Sequence, residues 1–298
     1  MAVFPTDSRH SGSSSRIDHW QLRTRSLPLT GRPLLMGIVN VTPDSFSDGG
    51  QFFKVDRAVQ HALDLARQGA DILDIGGEST RPYSNSVALQ EELDRVLPVV
   101  ENIRAREDLI LSIDTSKVEV ARECVAQGVE IINDVTGFCG DGAMVSLAVE
   151  SKVGVCAMHM QGTPQTMQDA PEYKNVVKDI FQYLSDRRDA LVAAGISADR
   201  ICLDPGLGFG KTLSHNLELL KQIDFFHQLH CPLLVGHSRK GFIKKILEAE
   251  IGKEFPLDPE AGTLGVSLFL AGRGVHVLRV HNIAMTRQAL ALFAAPGH

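Results

Sequence analysis

The chain has 298 residues, 44% of them hydrophobic and 22% charged, with a formal net charge of −6. This is ordinary for a globular protein; the acidic balance gives no broad basic field for nucleic acid, and no run approaches the roughly 20 apolar residues of a membrane span. Cys124, Cys139, Cys156, Cys202 and Cys231 are scattered without a CxxC pair, which fits thiols kept reduced in the cytoplasm and used as small core residues.

Residues 1–16 are polar, Ser-rich and lack an apolar core. We expect a disordered tail there, with no secretory signal, and a single domain over 17–298. Residues 20–29 carry Trp20, Leu22, Leu27 and Leu29, which suggests a short hairpin beneath the main fold. Eight apolar runs follow, at 34–39, 72–75, 109–113, 129–132, 153–158, 201–203, 233–235 and 275–280. Such runs read as strands buried on both faces. Between them, residues 55–68 place Val55, Ala58, Val59, Ala62, Leu65 and Ala66 on one helical face. Residues 118–127, 176–194, 217–229 and 241–249 behave alike, and Gly69, Gly128, Gly195 and Gly274 supply helix-closing turns. Strand and helix alternating in this way predict a single-domain (β/α)8 TIM barrel, with the hairpin at its bottom and an open doubly wound sheet as the alternative.

Polar residues follow every run: Asn40; Gly76-Gly77-Glu78-Ser79-Thr80-Arg81; Asp114-Thr115-Ser116; Asn133-Asp134; His159; Asp204-Pro205-Gly206; Ser238-Arg239-Lys240; and His281-Asn282. In a parallel barrel these ends open on one face. A single Asp or Asn there would mean little, since both favour turns and caps. Asp114, Asn133 and Asp204 offer acceptors and an amide for a flat heterocycle with several N–H donors, and Lys240 offers a donor to the same ligand. Arg81, Arg279 and His281 form a cationic group suited to phosphate or pyrophosphate. Asn40 is a neutral oxygen ligand of the kind Mg2+ accepts when phosphates fill most of its shell. With no Ser-His-Asp, HExxH or zinc pattern in view, the implied chemistry is metal-assisted loss of an anionic leaving group. Structural readings compete: Asn40 or Asp114 as caps, Glu78 and Asp134 as loop-orienting acids, Arg239 as an ion-pair partner, His159 as a packing partner.

The segments MGIVNVTPDSFSDGG, DIGGESTRP, SIDTSK, IINDVTG, MHMQGTPQTMQ, DPGLGFGKT, GHSRKGFI and LRVHN resemble, in order, the motifs of the dihydropteroate synthases. The resemblance runs from about Pro33 to His281. It implies a barrel, usually homodimeric, that joins a dihydropterin pyrophosphate to 4-aminobenzoate in folate synthesis, with Mg2+ and an SN1-like departure of pyrophosphate. It assigns Asp114, Asn133, Asp204 and Lys240 to the pterin, with Met158 against the ring and Arg239 beside it. Asn40, Thr80, Arg81, Arg279 and His281 would hold pyrophosphate and Mg2+. Phe46, Pro82, Phe209 and Ser238 would shape the aminobenzoate pocket, where sulfonamides compete. Residues 41–53 and 82–88 would be lids.

Four positions depart from the family pattern: Tyr83 replaces a common Gly, His237 and Gly241 stand where smaller or hydroxylic residues are usual, and Asn282 replaces a common Asp. Two rivals share the implied barrel: a methyltetrahydrofolate-dependent methyltransferase, which needs no anion cluster, and a non-catalytic pterin-binding paralogue.

Overall fold

The computed structural model describes residues 17–42, 51–140 and 142–295. The tail 1–16 and most of the first expected lid, including Phe46, lie outside them. Each apolar run becomes a strand, and five of the eight strands extend one or two residues into the polar group that follows. These strands are β3 (Leu34–Asn40), β4 (Ile72–Gly76), β5 (Leu111–Asp114), β6 (Ile131–Asp134), β7 (Gly154–Met158), β8 (Ile201–Asp204), β9 (Leu234–Gly236) and β10 (Val277–Val280). All pair in parallel, in the order β8-β7-β6-β5-β4-β3-β10-β9. A parallel bridge between Leu203 and Leu233 joins the two outer strands. The sheet therefore closes, and the open doubly wound alternative is excluded.

The helices are α1 (Gln51–Arg67), α2 (Leu89–Arg104), α3 (Val118–Ala126), α4 (Gly142–Ser151), α5 (Val176–Ala193), α6 (Leu213–Lys221), α7 (Gly241–Ile251), α8 (Pro259–Gly272) and α9 (Ile283–Ala294). The segment expected as one helix over 217–229 is α6 followed by a 3-10 turn, Ile223–Leu229. It begins earlier than apolar spacing suggests because Thr212 and His215 form a capping box. Helices α2, α4, α8 and α9 lie outside the periodic segments read from sequence; α4 and α8 are apolar on nearly all sides and carry no clear stripe. Gly69, Gly128, Gly195 and Gly274 all have positive φ, as helix-ending glycines require.

Apolar side chains fall into two layers. The larger lies between the sheet and the helix ring. The smaller fills the bottom of the barrel with Met36, Ile72, Ile131, Cys156, Cys202, Leu234 and Val277. The hairpin β1 (His19–Gln21) and β2 (Ser26–Pro28) closes this end, setting Trp20 and Leu22 against that layer. Trp20 is fully buried, and its indole N–H donates to the Arg200 carbonyl at 2.9 Å. Four of the five cysteines are buried free thiols, while Cys139 is exposed.

Candidate active site

Strand register brings the predicted polar residues into one layer. Asn40 pairs with Gly76, Gly76 with Asp114, and Asp114 with Asn133 across adjacent strands; farther round, Met158 pairs with Asp204. Asp114, Asn133, Asp204 and Met158 are all buried. Asp114 is raised to about 7, chiefly by burial; Arg279 opposes the shift, and Asp74, Glu92 and Asp134 add to it. Its Oδ1 is buried without a partner. A carboxylate oxygen in that state invites a hydrogen-bond donor.

Arg279, which the sequence reading groups with the anion cluster, reaches deeper. Its Nε donates to Asp74 Oδ2 at 2.6 Å and its Nη2 to Asp114 Oδ2 at 2.7 Å. Burial works against the guanidinium's charge, and the two carboxylates outweigh it and hold it protonated. Asn133 Nδ2 also donates to Asp74 Oδ2, at 3.1 Å. Asp74 was missed by the strand-end reading because it stands inside the strand. The signal was present: an acid within the otherwise apolar Ile72-Leu73-Asp74-Ile75.

On the opposite wall, Asp204 Oδ1 accepts from Gly206 N–H at 2.7 Å. The Lys240 ammonium donates to the Leu207 carbonyl and lies 4.2 Å from the Phe209 ring centroid. Burial lowers Lys240 to about 7, with Asp204 resisting. Lys211, a second residue missed from sequence, is 3% exposed and donates to Phe209 O at 2.8 Å and to His159 Nδ1 at 3.1 Å. It ties the β8–α6 loop to the end of β7. No pattern flags it, because a lysine after Gly-Phe-Gly ordinarily points to water.

The rim carries the rest. Asn40 and Thr80 are half-buried, and Arg81 and Pro82 are exposed. His281 Nδ1 lies 2.9 Å from Ser238 Oγ. Its pKa is pushed down to about 3 by burial, then by the positive charges of Arg239, Arg279 and Arg81. The three arginines thus converge electrostatically on a neutral histidine, which contributes hydrogen bonding in place of the charge expected from sequence. Arg239, half-exposed, pairs with Glu260. Glu78 pairs with Lys117, and Asp134 caps its loop through Thr136 and Phe138 N–H groups at 2.8 and 3.0 Å. Among the described residues no group of three or more His, Cys, Asp or Glu side chains is placed to hold a metal ion. Asn40 alone fits only a cation that arrives with most of its own oxygen ligands.

The departures from the family pattern have local explanations. Tyr83 adopts φ 63°, which a glycine takes without cost; its N–H donates to Pro164 O at 2.9 Å and its hydroxyl to Asp169 at 3.3 Å. His237 is fully buried against Ser267 Oγ at 2.8 Å. Asn282 caps α9, accepting from Met285 N–H at 3.1 Å, and Gly241 opens α7.

Fold and site together define a closed α/β barrel with a buried, hydrogen-bonding floor and an arginine-bearing rim at the carboxyl ends of its strands. Comparison with known families agrees: the pterin-binding enzyme model matches residues 36–281. The chain is 45% identical over 263 residues to the dihydropteroate synthase of Escherichia coli strain K12, covering 88% of this chain and 91% of that one. The Xanthomonas albilineans dihydropteroate synthase solved with 4-aminobenzoic acid superposes with a TM-score of 0.84 at 44% identity, covering 94% of this chain and 98% of that one. The Yersinia pestis enzyme in its sulfonamide complex gives a TM-score of 0.84 at 41% identity, over 94% and 99% of the two chains. The chain belongs to the pterin-binding enzyme family, and within it to the dihydropteroate synthases.

Proposed function

We propose that this chain joins a dihydropterin methyl pyrophosphate to 4-aminobenzoate, releasing diphosphate and forming dihydropteroate. The observation that carries this reading is the floor: the unpartnered Asp114 Oδ1 beside Asn133, Asp204 and Lys240 complements a ring with several N–H donors and a carbonyl. Met158 would lie against the ring. Arg239, half-exposed, would act at the pterin's edge if it leaves Glu260.

The bond between the pterin methylene carbon and the diphosphate oxygen breaks with its electron pair on the leaving group. Arg81, Arg279, Thr80 and the neutral His281 ring would receive that group. When bound with the diphosphate, Mg2+ would spread its charge, with Asn40 completing the shell. Phe209, Ser238, Pro82 and Phe46 would hold aminobenzoate and keep water from the methylene carbon, and its amine would form the new C–N bond, giving up one N–H proton to the released diphosphate. The unpaired thiols agree with a cytoplasmic location. A homodimer is supported by Phe269, Met285 and Leu292, exposed apolar residues of α8 and α9.

Diphosphate release measured with and without aminobenzoate and Mg2+ tests the reading. We expect release to depend on both. Methyl transfer from a reduced folate in its place would favour the methyltransferase rival, and pterin binding without turnover the non-catalytic one.

A further inference from the structure

Asp74 is fully buried inside the barrel, at the centre of the floor, and one of its oxygens receives both the Arg279 Nε–H and the Asn133 amide. A guanidinium offered a single carboxylate engages it with two parallel N–H donors. Here the fork is divided, one donor to Asp74 Oδ2 and another to Asp114 Oδ2, and the Oδ1 of each acid is left without a partner. The division is what keeps an acceptor free at the floor. It also fixes the Asn133 amide, whose N–H2 would otherwise turn toward whatever acceptor lies nearest.

We propose that Asp74 is a positioning residue for pterin binding: it holds one side of the Arg279 fork and the Asn133 amide, so that Asp114 Oδ1 stays open to the ligand. The inference rests on the reading of the floor as a pterin site. Asp74 need not touch the ligand for this role, since it acts through Arg279 and Asn133. The charged groups facing Asp114 are Arg279 from β10, Asp74 from β4, Glu92 from α2, Asp134 from β6 and Lys240 at the start of α7. Asp74 is the acid among them that shares Asp114's arginine, so neutralising it changes Asp114 in two ways. A like charge disappears, and Arg279 becomes free to close on both Asp114 oxygens. Both favour the Asp114 carboxylate, and the second also covers the oxygen that would accept from a ligand.

The test is calorimetric titration with a hydroxymethyl-dihydropterin that carries no phosphate, from pH 5.5 to 8.5, on the full chain and its Asp74→Asn and Asp74→Glu variants. Thermal melting reports folding. For Asp74→Asn we expect affinity at pH 8 to fall about ten- to hundredfold. The pH at which affinity is half lost on acidification should move down by about one unit. Asp74→Glu keeps the charge, so its midpoint should stay at the wild-type pH even where its affinity drops. A role in packing alone would lower stability and affinity and leave the midpoint in place. Should Asp74→Asn fail to fold, Asp74→Ser, which admits water beside Arg279, is read the same way. Affinity within twofold of wild type with an unmoved midpoint overturns the inference while leaving the pterin reading intact. Failure of the wild-type chain to bind the pterin overturns both.

Discussion

At the residue scale the floor is a balance between two groups that titrate near neutrality. Asp114 accepts hydrogen bonds at both oxygens only as a carboxylate, since protonation turns one of them into a donor, and burial raises its pKa to about 7. Lys240 donates with full charge only as an ammonium, and burial brings it down to about 7. Lowering the pH protonates Asp114, and raising it deprotonates Lys240. Affinity for a phosphate-free pterin should therefore be bell-shaped, with a maximum near neutral pH and losses on both sides. A flat titration profile from pH 5.5 to 8.5 would sink this account. Arg279→Ala follows from the same geometry. Its removal strands Asp74 and Asp114 as buried acids without their cation, at a cost of about 3–5 kcal/mol. Binding of the phosphate-free pterin and turnover of the diphosphate substrate should both fall. Loss of turnover alone would return Arg279 to a purely anion-binding role, the one expected from sequence.

At the element scale, the β8–α6 loop is the segment most constrained by its backbone. Gly206 has φ 69°, and a Cβ built there would lie 2.0 Å from the His159 carbonyl oxygen. Gly206→Ala should lower the melting temperature by roughly 4–8 °C, from left-handed strain plus the displaced β7 end. It should also weaken pterin binding, because Asp204 loses its Gly206 N–H. Unchanged melting would mean that the loop relaxes freely. The β4–α2 loop is built otherwise. Tyr83 pays left-handed strain of about 1–2 kcal/mol yet ties this loop to Pro164 and Asp169. Tyr83→Gly exchanges that strain for a chain-entropy cost of roughly 0.5–1 kcal/mol. Melting should stay nearly constant while amide exchange at residues 83 and 84 quickens. Unchanged exchange would show that Tyr83 does not anchor the loop.

At the scale of the whole molecule, the barrel has a functional mouth and a sealed base. Trp20 fills the base from a hairpin outside the sheet. Trp20→Ala should cost about 3–5 kcal/mol, read by thermal or urea unfolding, with pterin affinity of the folded fraction unchanged. A loss below 1 kcal/mol would mean that the hairpin is dispensable to the seal. The exposed apolar residues of α8 and α9 make the corresponding prediction about assembly. Phe269→Glu with Leu292→Glu should sediment as the 32.5 kDa monomer, whereas the unaltered chain should sediment at twice that mass.

Much of this was legible in the sequence, because strands buried on both faces leave unbroken apolar runs and a parallel barrel must place all their ends together. Those two facts supplied the fold and pointed to Asn40, Asp114, Asn133, Asp204, Lys240 and His281. The charge state of His281 was not legible, because it depends on burial and on three arginines far apart in the chain. Nor were Asp74 and Lys211, whose roles exist only where β4 meets β10 and where the β8–α6 loop meets β7. Sequence determined which groups reach the mouth of the barrel. Only the tertiary structure decided which of them pair with one another, because hydrogen-bond partners inside a closed sheet are chosen by register and depth.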